Sequence, residues 1–193
     1  MSFSLRSNVI ATCLLLVLLV PAQAGNTSRG QADSFAKKLA IIQQHAEESP
    51  KSARRTTVTE VELNSWFIYR APALLPAGVK DPQVTAIGNG KLHGVVNVDL
   101  DALGQSNAWK LLAGKVPITL TGVLRTKGGR GQFELQSAQL SGVPVPKFVV
   151  QEIVTHYTRS GERPKGIRLD DPFELPASIK QIDVGSGQAV ITQ

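Results

Sequence analysis

Two stretches of strict alternation constrain this chain more than anything else in it. Leu92, Gly94, Val96, Val98 and Leu100 alternate with Lys91, His93, Val95, Asn97 and Asp99. Val116, Ile118, Leu120, Gly122 and Leu124 alternate with residues that include Thr119, Thr121 and Arg125. A period of two held this long is a half-buried β-strand, because successive side chains leave a strand on opposite sides. The turns agree. Gly88-Asn89-Gly90 suits a tight hairpin before the first stretch, since Asn-Gly tolerates the positive φ of a type I′ turn. Gly128-Gly129-Arg130-Gly131 turns the chain back after the second. Phe133 and Leu135 share one parity, Ala138 and Leu140 the other. That switch predicts a β-bulge at Gln136 or Ser137.

Helical periodicity flanks these strands. Phe35, Leu39, Ile42 and Ala46 recur at steps of four, three and four, which predicts a helix over Gln31–Glu48 closed by Pro50. Lys37, Lys38, Gln44 and Glu47 populate its other faces. Thr59 and Glu62 have the spacing of a capping box. They predict a short helix through Tyr69 that carries Val61, Leu63, Trp66 and Phe67. Lys147–Thr158 reads as a second long helix, with Val150, Ile153 or Val154, and Tyr157 on one side and Pro146 at its first position. Thr56–Val58 and Asp81–Ile87 read as further strands. Ile179–Val184 and Gln188–Thr192 form a closing hairpin across Gly185-Ser186-Gly187. Asp101–Ala113 is a loop or a single helical turn with Trp109 and Leu112 tucked in. The expected fold class is α+β: a long, curved antiparallel sheet wrapped around or packed on two amphipathic helices.

The start of the chain carries a different message. Arg6 is the only charge before an apolar run from Val9 to Val20, and Pro21 and the small-residue site Ala22-Gln23-Ala24 follow. This is the pattern of a cleavable secretion signal over residues 1–24. The run is short for a membrane span, which needs about 20 residues. The folded part is then a single domain over residues 25–193, with residues 25–30 a disordered lead-in, and the protein is expected to be secreted or periplasmic. Loss of residues 1–24 removes Arg6 and lowers the net charge from +6 to +5. It also removes Cys13, the only cysteine, so the mature domain has no disulfide or thiol chemistry. The mild basic balance suits anionic partners such as phospholipid headgroups. A secretion signal argues against nucleic acid.

No catalytic pattern emerges. His45, His93 and His156 have no second ligand at a metal-binding spacing, and H-E-x-x-H is absent. Asp99-Leu100-Asp101 and Asp170-Asp171 offer too few oxygens for Ca²⁺ and read more simply as a strand position and a turn. G-x-S-x-G is absent, and the glycine turns do not join a strand to a helix as a phosphate loop does. No catalytic residue, metal or cofactor is expected, and the chain is not read as an enzyme. The basic clusters include Lys51, Arg54 and Arg55; Arg125, Lys127 and Arg130; and Arg159, Arg163, Lys165 and Arg168. Each is mostly loop, which solvation explains. Two of them gathered at one end of the fold would attract anionic headgroups.

Gly94 and Gly122 interrupt the apolar strand faces. Glycine inside a strand marks a bend or the close approach of another group. Either a helix packs tightly there or the sheet coils, or space is left for a ligand chain.

The stretch Val58-Thr59-Glu60-Val61-Glu62-Leu63-Asn64-Ser65-Trp66 resembles the start of bacterial secreted lipid-binding proteins of the tubular, BPI-like type. Phe173-Glu-Leu-Pro176, Ile179–Val184 and Gly187–Ile191 are similar to their Pro-rich close and final hairpin. These motifs cover about a fifth of the chain as a rough measure. The resemblance implies a helix held in a curled sheet, with an apolar groove for acyl chains and no catalytic motif. The expected ligand is a lipid or another amphiphile, with the membrane surface a further candidate partner. The groove would be lined by Leu92, Gly94, Val96, Val98, Ile118, Leu120, Gly122 and Leu124. Phe133 and Leu135 would join from the next strand, and Trp66 and Phe67 from the short helix. Arg125, Lys127 and Arg130, at a strand end, would meet an anionic headgroup. The alternative is a periplasmic or surface protein-interaction module with a filled core and no ligand.

Overall fold

The computed structural model describes residues 26–48, 52–103, 114–159 and 164–193. The signal segment and most of Asp101–Ala113, with Trp109 and Leu112, lie outside the described residues. In chain order the elements are α1 (Arg29–Glu47), β1 (Arg55–Thr59), α2 (Glu60–Tyr69), β2 (Val79–Gly88) and β3 (Lys91–Asp99). Then follow β4 (Lys115–Lys127), β5 (Arg130–Leu140), β6 (Val143–Pro144), α3 (Lys147–Thr158), β7 (Phe173–Glu174), β8 (Gln181–Val184) and β9 (Gln188–Thr192). Short 3-10 turns occupy Pro72–Leu74 and Leu100–Leu103.

The class is α+β. The larger sheet is antiparallel, in the order β2-β3-β4-β5-β6, with β7 beside one end of β5. It is an open meander that packs on α3 and does not curl around a helix, so the expected curvature is absent. Tight turns set its register. Asn89 and Gly90 both have positive φ, as do Gly128 and Gly129, which is the backbone a two-residue type I′ hairpin needs. The bulge is where the parity switch put it: Thr121 pairs with Ser137 and Gly122 with Leu135, leaving Gln136 as the extra residue. A second irregularity follows Lys80, where Asp81 takes a positive φ.

Pairing puts the alternating residues on one face. Leu92, Gly94, Val96 and Val98 lie opposite Gly122, Leu120, Ile118 and Val116, and directly paired residues project to the same side. Leu124 faces Phe133, and Ile118 faces Leu140. At one end this face is closed by α3: Val98, Leu100, Ile118, Leu140 and Ile153 form a buried cluster flanked by Val149 and Tyr157. The Tyr157 hydroxyl donates to the Asp99 carbonyl and holds the end of α3 to β3. Pro146 is the N-cap of α3, not its first helical residue; its extended backbone turns the chain into the helix.

The smaller sheet, β1-β9-β8, packs with α1 and α2. The segment expected to be a disordered lead-in is helical from Arg29, because Ser28 caps α1 by accepting from the Gln31 N–H at 3.2 Å. The inner stripe of α1 is Ala32, Phe35 and Ile42, while Leu39 is exposed. Lys38, expected on an outer face, reaches inward: its ammonium donates to Glu62 Oε2 and to the Thr57 carbonyl, both at 2.7 Å. Glu62 is buried and is the capping-box residue of α2, accepting from the Thr59 N–H at 2.9 Å. Burial raises the Glu62 pKa, but hydrogen bonds from Lys38, Ser34 and Thr59 outweigh it and hold the carboxyl below its ordinary value. On the other side of α2, Asn64 closes the outer edge of β2. Its amide donates to the Val84 carbonyl at 2.9 Å and its oxygen accepts from the Val84 N–H at 2.8 Å. Glu60 accepts from the Ala86 N–H at 2.9 Å. An edge strand left bare invites pairing with other chains; here a helix occupies it.

Two measurements check this description. Ile118→Ala should cost about 2–5 kcal/mol in a denaturant titration, as for other buried aliphatics; half-buried Leu120→Ala should cost less. Because Glu62 is depressed, its contribution is complete above its ordinary value of 4.5 and is lost as pH falls through the lower folded value. Glu62→Gln should therefore flatten the acid limb of the stability curve, and an unchanged limb would count against the cluster.

Candidate functional site

Beyond the α3 end, the apolar face continues along the strands through Leu92, Gly94, Val96, Leu120, Leu124, Phe133 and Leu135. All are half-buried, in contrast to Val98 and Ile118 beneath α3. The far end is closed by β8. The Thr126 hydroxyl, one alternation beyond Leu124, donates to the Ile182 carbonyl at 2.9 Å and accepts from its N–H at 2.8 Å. From Leu120 to Thr126 the strand runs roughly 20 Å.

The two glycines of this face differ. A Cβ built at Gly94 meets nothing within 4 Å except the Gln83 carbonyl at 3.7 Å, so that position opens onto space. At Gly122 the space is taken. The Phe133 ring lies across it, and a Cβ would come within 2.6 Å of the Glu134 carbonyl. The glycine thus serves close packing by a neighbouring aromatic at the bulge. At neither position does a helix supply any of the nearest atoms within 4 Å. Phe173 of β7 packs over Gly131 in the same manner, a contact that the sequence reading did not anticipate.

Trp66 and Phe67 sit on α2 beside β2. Trp66 packs against Phe35 of α1, with ring centroids 5.5 Å apart, and against Phe67 at 5.7 Å. Trp66 therefore belongs to the packing between the first two helices, and no described contact joins it to the face through Leu92 and Leu120.

Arg125, Lys127 and Arg130 come together with one another, but on the parity of Thr121, so they project from the side of the sheet opposite Leu124 and Phe133. They line an open groove of about 630 Å³ that also includes Leu124, Ile182 and Asp183. Arg125 and Glu134 form an exposed ion pair at 3.0 Å, of the kind that contributes little to stability. Lys127 and Arg130 face each other across the hairpin. Like charges so placed are unfavourable.

The other candidates for chemistry are accounted for locally. The His93 ring nitrogen is 3.0 Å from the Thr121 hydroxyl, and both project from the face opposite the apolar one. Asp99 and Asp101 accept from the N–H groups of Asp101 and Gly114, at 3.2 and 2.9 Å. Asp170 pairs with Lys147. Among the described residues no three His, Cys, Asp or Glu side chains gather as a metal site, and no helix is long and apolar enough to cross a membrane. Comparison with family models, with curated proteins and with solved structures gives no match.

The contrast between the glycines is testable by thermal unfolding. Gly122→Ala should destabilise by about 1–3 kcal/mol through overpacking against Phe133, whereas Gly94→Ala should fall within roughly half a kcal/mol of the parent.

Proposed function

We propose that the protein is an exported, non-enzymatic binder or carrier of a lipid or another amphiphile. The chain of the ligand would lie along the apolar sheet face between α3 and β8. The observation that carries this reading is an apolar sheet face left half-buried between α3 and β8 and open over Gly94. Burial supplies the driving force. Each methylene removed from water gains ~0.8 kcal/mol, so eight to ten of them offer roughly 6–8 kcal/mol before the costs of association. That is compatible with affinity on the order of micromolar. The secretion pattern of residues 1–24 and the resemblance of the Thr59–Trp66 and Phe173–Ile191 stretches to tubular lipid-binding proteins support the same reading.

A second reading is the interaction module with a filled core. It is favoured by Phe133, whose ring fills the space over Gly122 and shortens any channel.

Titration of purified, delipidated protein with a fluorescent fatty acid separates the two. Saturable binding is expected, and Gly94→Leu should weaken it by about tenfold while leaving the melting temperature nearly unchanged. Absence of saturable binding up to high micromolar ligand would leave the filled module as the better account.

A further inference from the structure

Three large apolar side chains stand out by exposure among the described residues: Leu74 at 70%, Phe148 at 69% and Val143 at 64%, while no other exceeds 47%. Strand register gathers them at one end of the larger sheet. Val79 pairs with Val98, Asp99 with Lys115 and Ile118 with Leu140, so the start of β2, the end of β3, the start of β4 and the end of β5 coincide. Leu74 lies in the loop that leads into β2, Val143 pairs with Leu140, and Phe148 is in the first turn of α3, which covers this end. The loop before β2 also reaches the last turn of α3, where a Cβ at Gly78 would meet the Tyr157 hydroxyl at 2.9 Å. Around Leu74 the chain is apolar without interruption over Ala71–Ala77, and only Ala71 and Leu75 in that run are not exposed. Consecutive exposed apolar residues are a liability unless something covers them.

We infer that this end of the domain docks on a phospholipid bilayer, with Leu74, Val143 and Phe148 inserted below the head groups. Area favours a bilayer over a second copy of the chain. The three side chains expose on the order of 400 Å², about half of the ~800 Å² that each partner of a stable protein interface buries. They also stand on separate segments, which a fluid surface accepts without shape complementarity. The backbone suits the same surface, because an unpaired N–H is costly away from water. Pro72, Pro76, Pro144 and Pro146 have no N–H to satisfy. The N–H groups of Leu74, Val145 and Val149 donate to the carbonyls of Ala71, Ala138 and Pro146 at 2.8, 3.0 and 3.0 Å. Charge is placed accordingly. Arg70 and Lys80 bracket the Leu74 loop and Lys147 adjoins Phe148, so head-group phosphates would meet them while their stems lie along the acyl boundary. Asp33 and Asp170 pair with Arg70 and Lys147, and Asp81 adjoins Lys80. Insertion of the apolar side chains therefore supplies most of the affinity. Because α3 also closes one end of the proposed ligand face, docking would bring that face to the lipid, but docking itself needs no ligand there.

The test is co-flotation of the exported protein, after loss of residues 1–24, with vesicles of phosphatidylcholine alone and of phosphatidylcholine mixed with phosphatidylglycerol. The protein should float with both, and raised ionic strength should leave its partition onto phosphatidylcholine unchanged. Phe148→Ser should weaken partition by about tenfold, and the triple variant Leu74→Ser, Val143→Ser, Phe148→Ser should not float. The melting temperature should hold in each case, since these side chains are exposed. If the triple variant does not fold, labelling keeps the test open, because the mature chain has no cysteine of its own. An environment-sensitive dye on Phe148→Cys should shift to the blue when vesicles are added. The same dye on Ser186→Cys, in the β8–β9 turn beside the opposite end of the sheet, should not. No flotation of the parent would overturn the inference, as would undiminished flotation of a folded triple variant or equal shifts at the two labels. Flotation with the mixed vesicles only, lost on adding salt, would also overturn it. So would a parent that is dimeric in solution and does not float, with a monomeric triple variant; that result would give the patch to a second copy. Fatty-acid binding by a protein that does not float would overturn docking and leave the amphiphile reading standing.

Discussion

The pairing of β3 with β4 is the constraint on which the rest of the structure depends. Nine consecutive pairs, from Lys91↔Val123 to Asp99↔Lys115, run without a register shift. A slip of one residue would put Val98 on one face and Ile118 and Leu120 on the other, and so break up the surface that α3 covers. The Asn89-Gly90 turn fixes where β2 enters this pairing, and Gly128-Gly129 fixes where β5 leaves it. Between β4 and β5 the Gln136 bulge lets Phe133 and Leu135 share a face with Ala138 and Leu140, despite their opposite parity.

A meander of this kind leaves two edges, and the protein treats them differently. β2 is sealed by side chains of α2, with Asn64 imitating a strand partner for both polar groups of Val84. The position of α2 is held in turn by Glu62. It caps its own helix and, through Lys38 and Ser34, ties α1 to the junction. A buried carboxylate would be costly alone; here it receives hydrogen bonds from two other elements, which is why it stays ionised. The β5 edge is met by two short strands, β6 and β7, at its opposite ends.

The proposed ligand site follows from the same plan. α3 closes one end of the apolar face and β8 the other, through the two bonds of Thr126. Residues between these covers remain half-buried because the sheet is open rather than rolled. A curled sheet would have enclosed them.

The sequence by itself determined strands β1–β5, β8 and β9, their hairpin turns, the Gln136 bulge and the capping box. Each depends on neighbours in the chain: period-two alternation, positive-φ residues at the turns, and a Thr-x-x-Glu spacing. It also determined that Leu92–Val98 and Val116–Leu124 share a face, since parity and turn length suffice for that. Tertiary structure alone decided what meets across long separations. It turned Lys38 inward and Leu39 outward, because the partner Glu62 lies 24 residues away. It assigned Trp66 to Phe35, filled Gly122 with Phe133 and left Gly94 open. It also kept the sheet from curling, since curvature depends on how twist, bulges and covering helices combine over the whole sheet rather than on any local pattern.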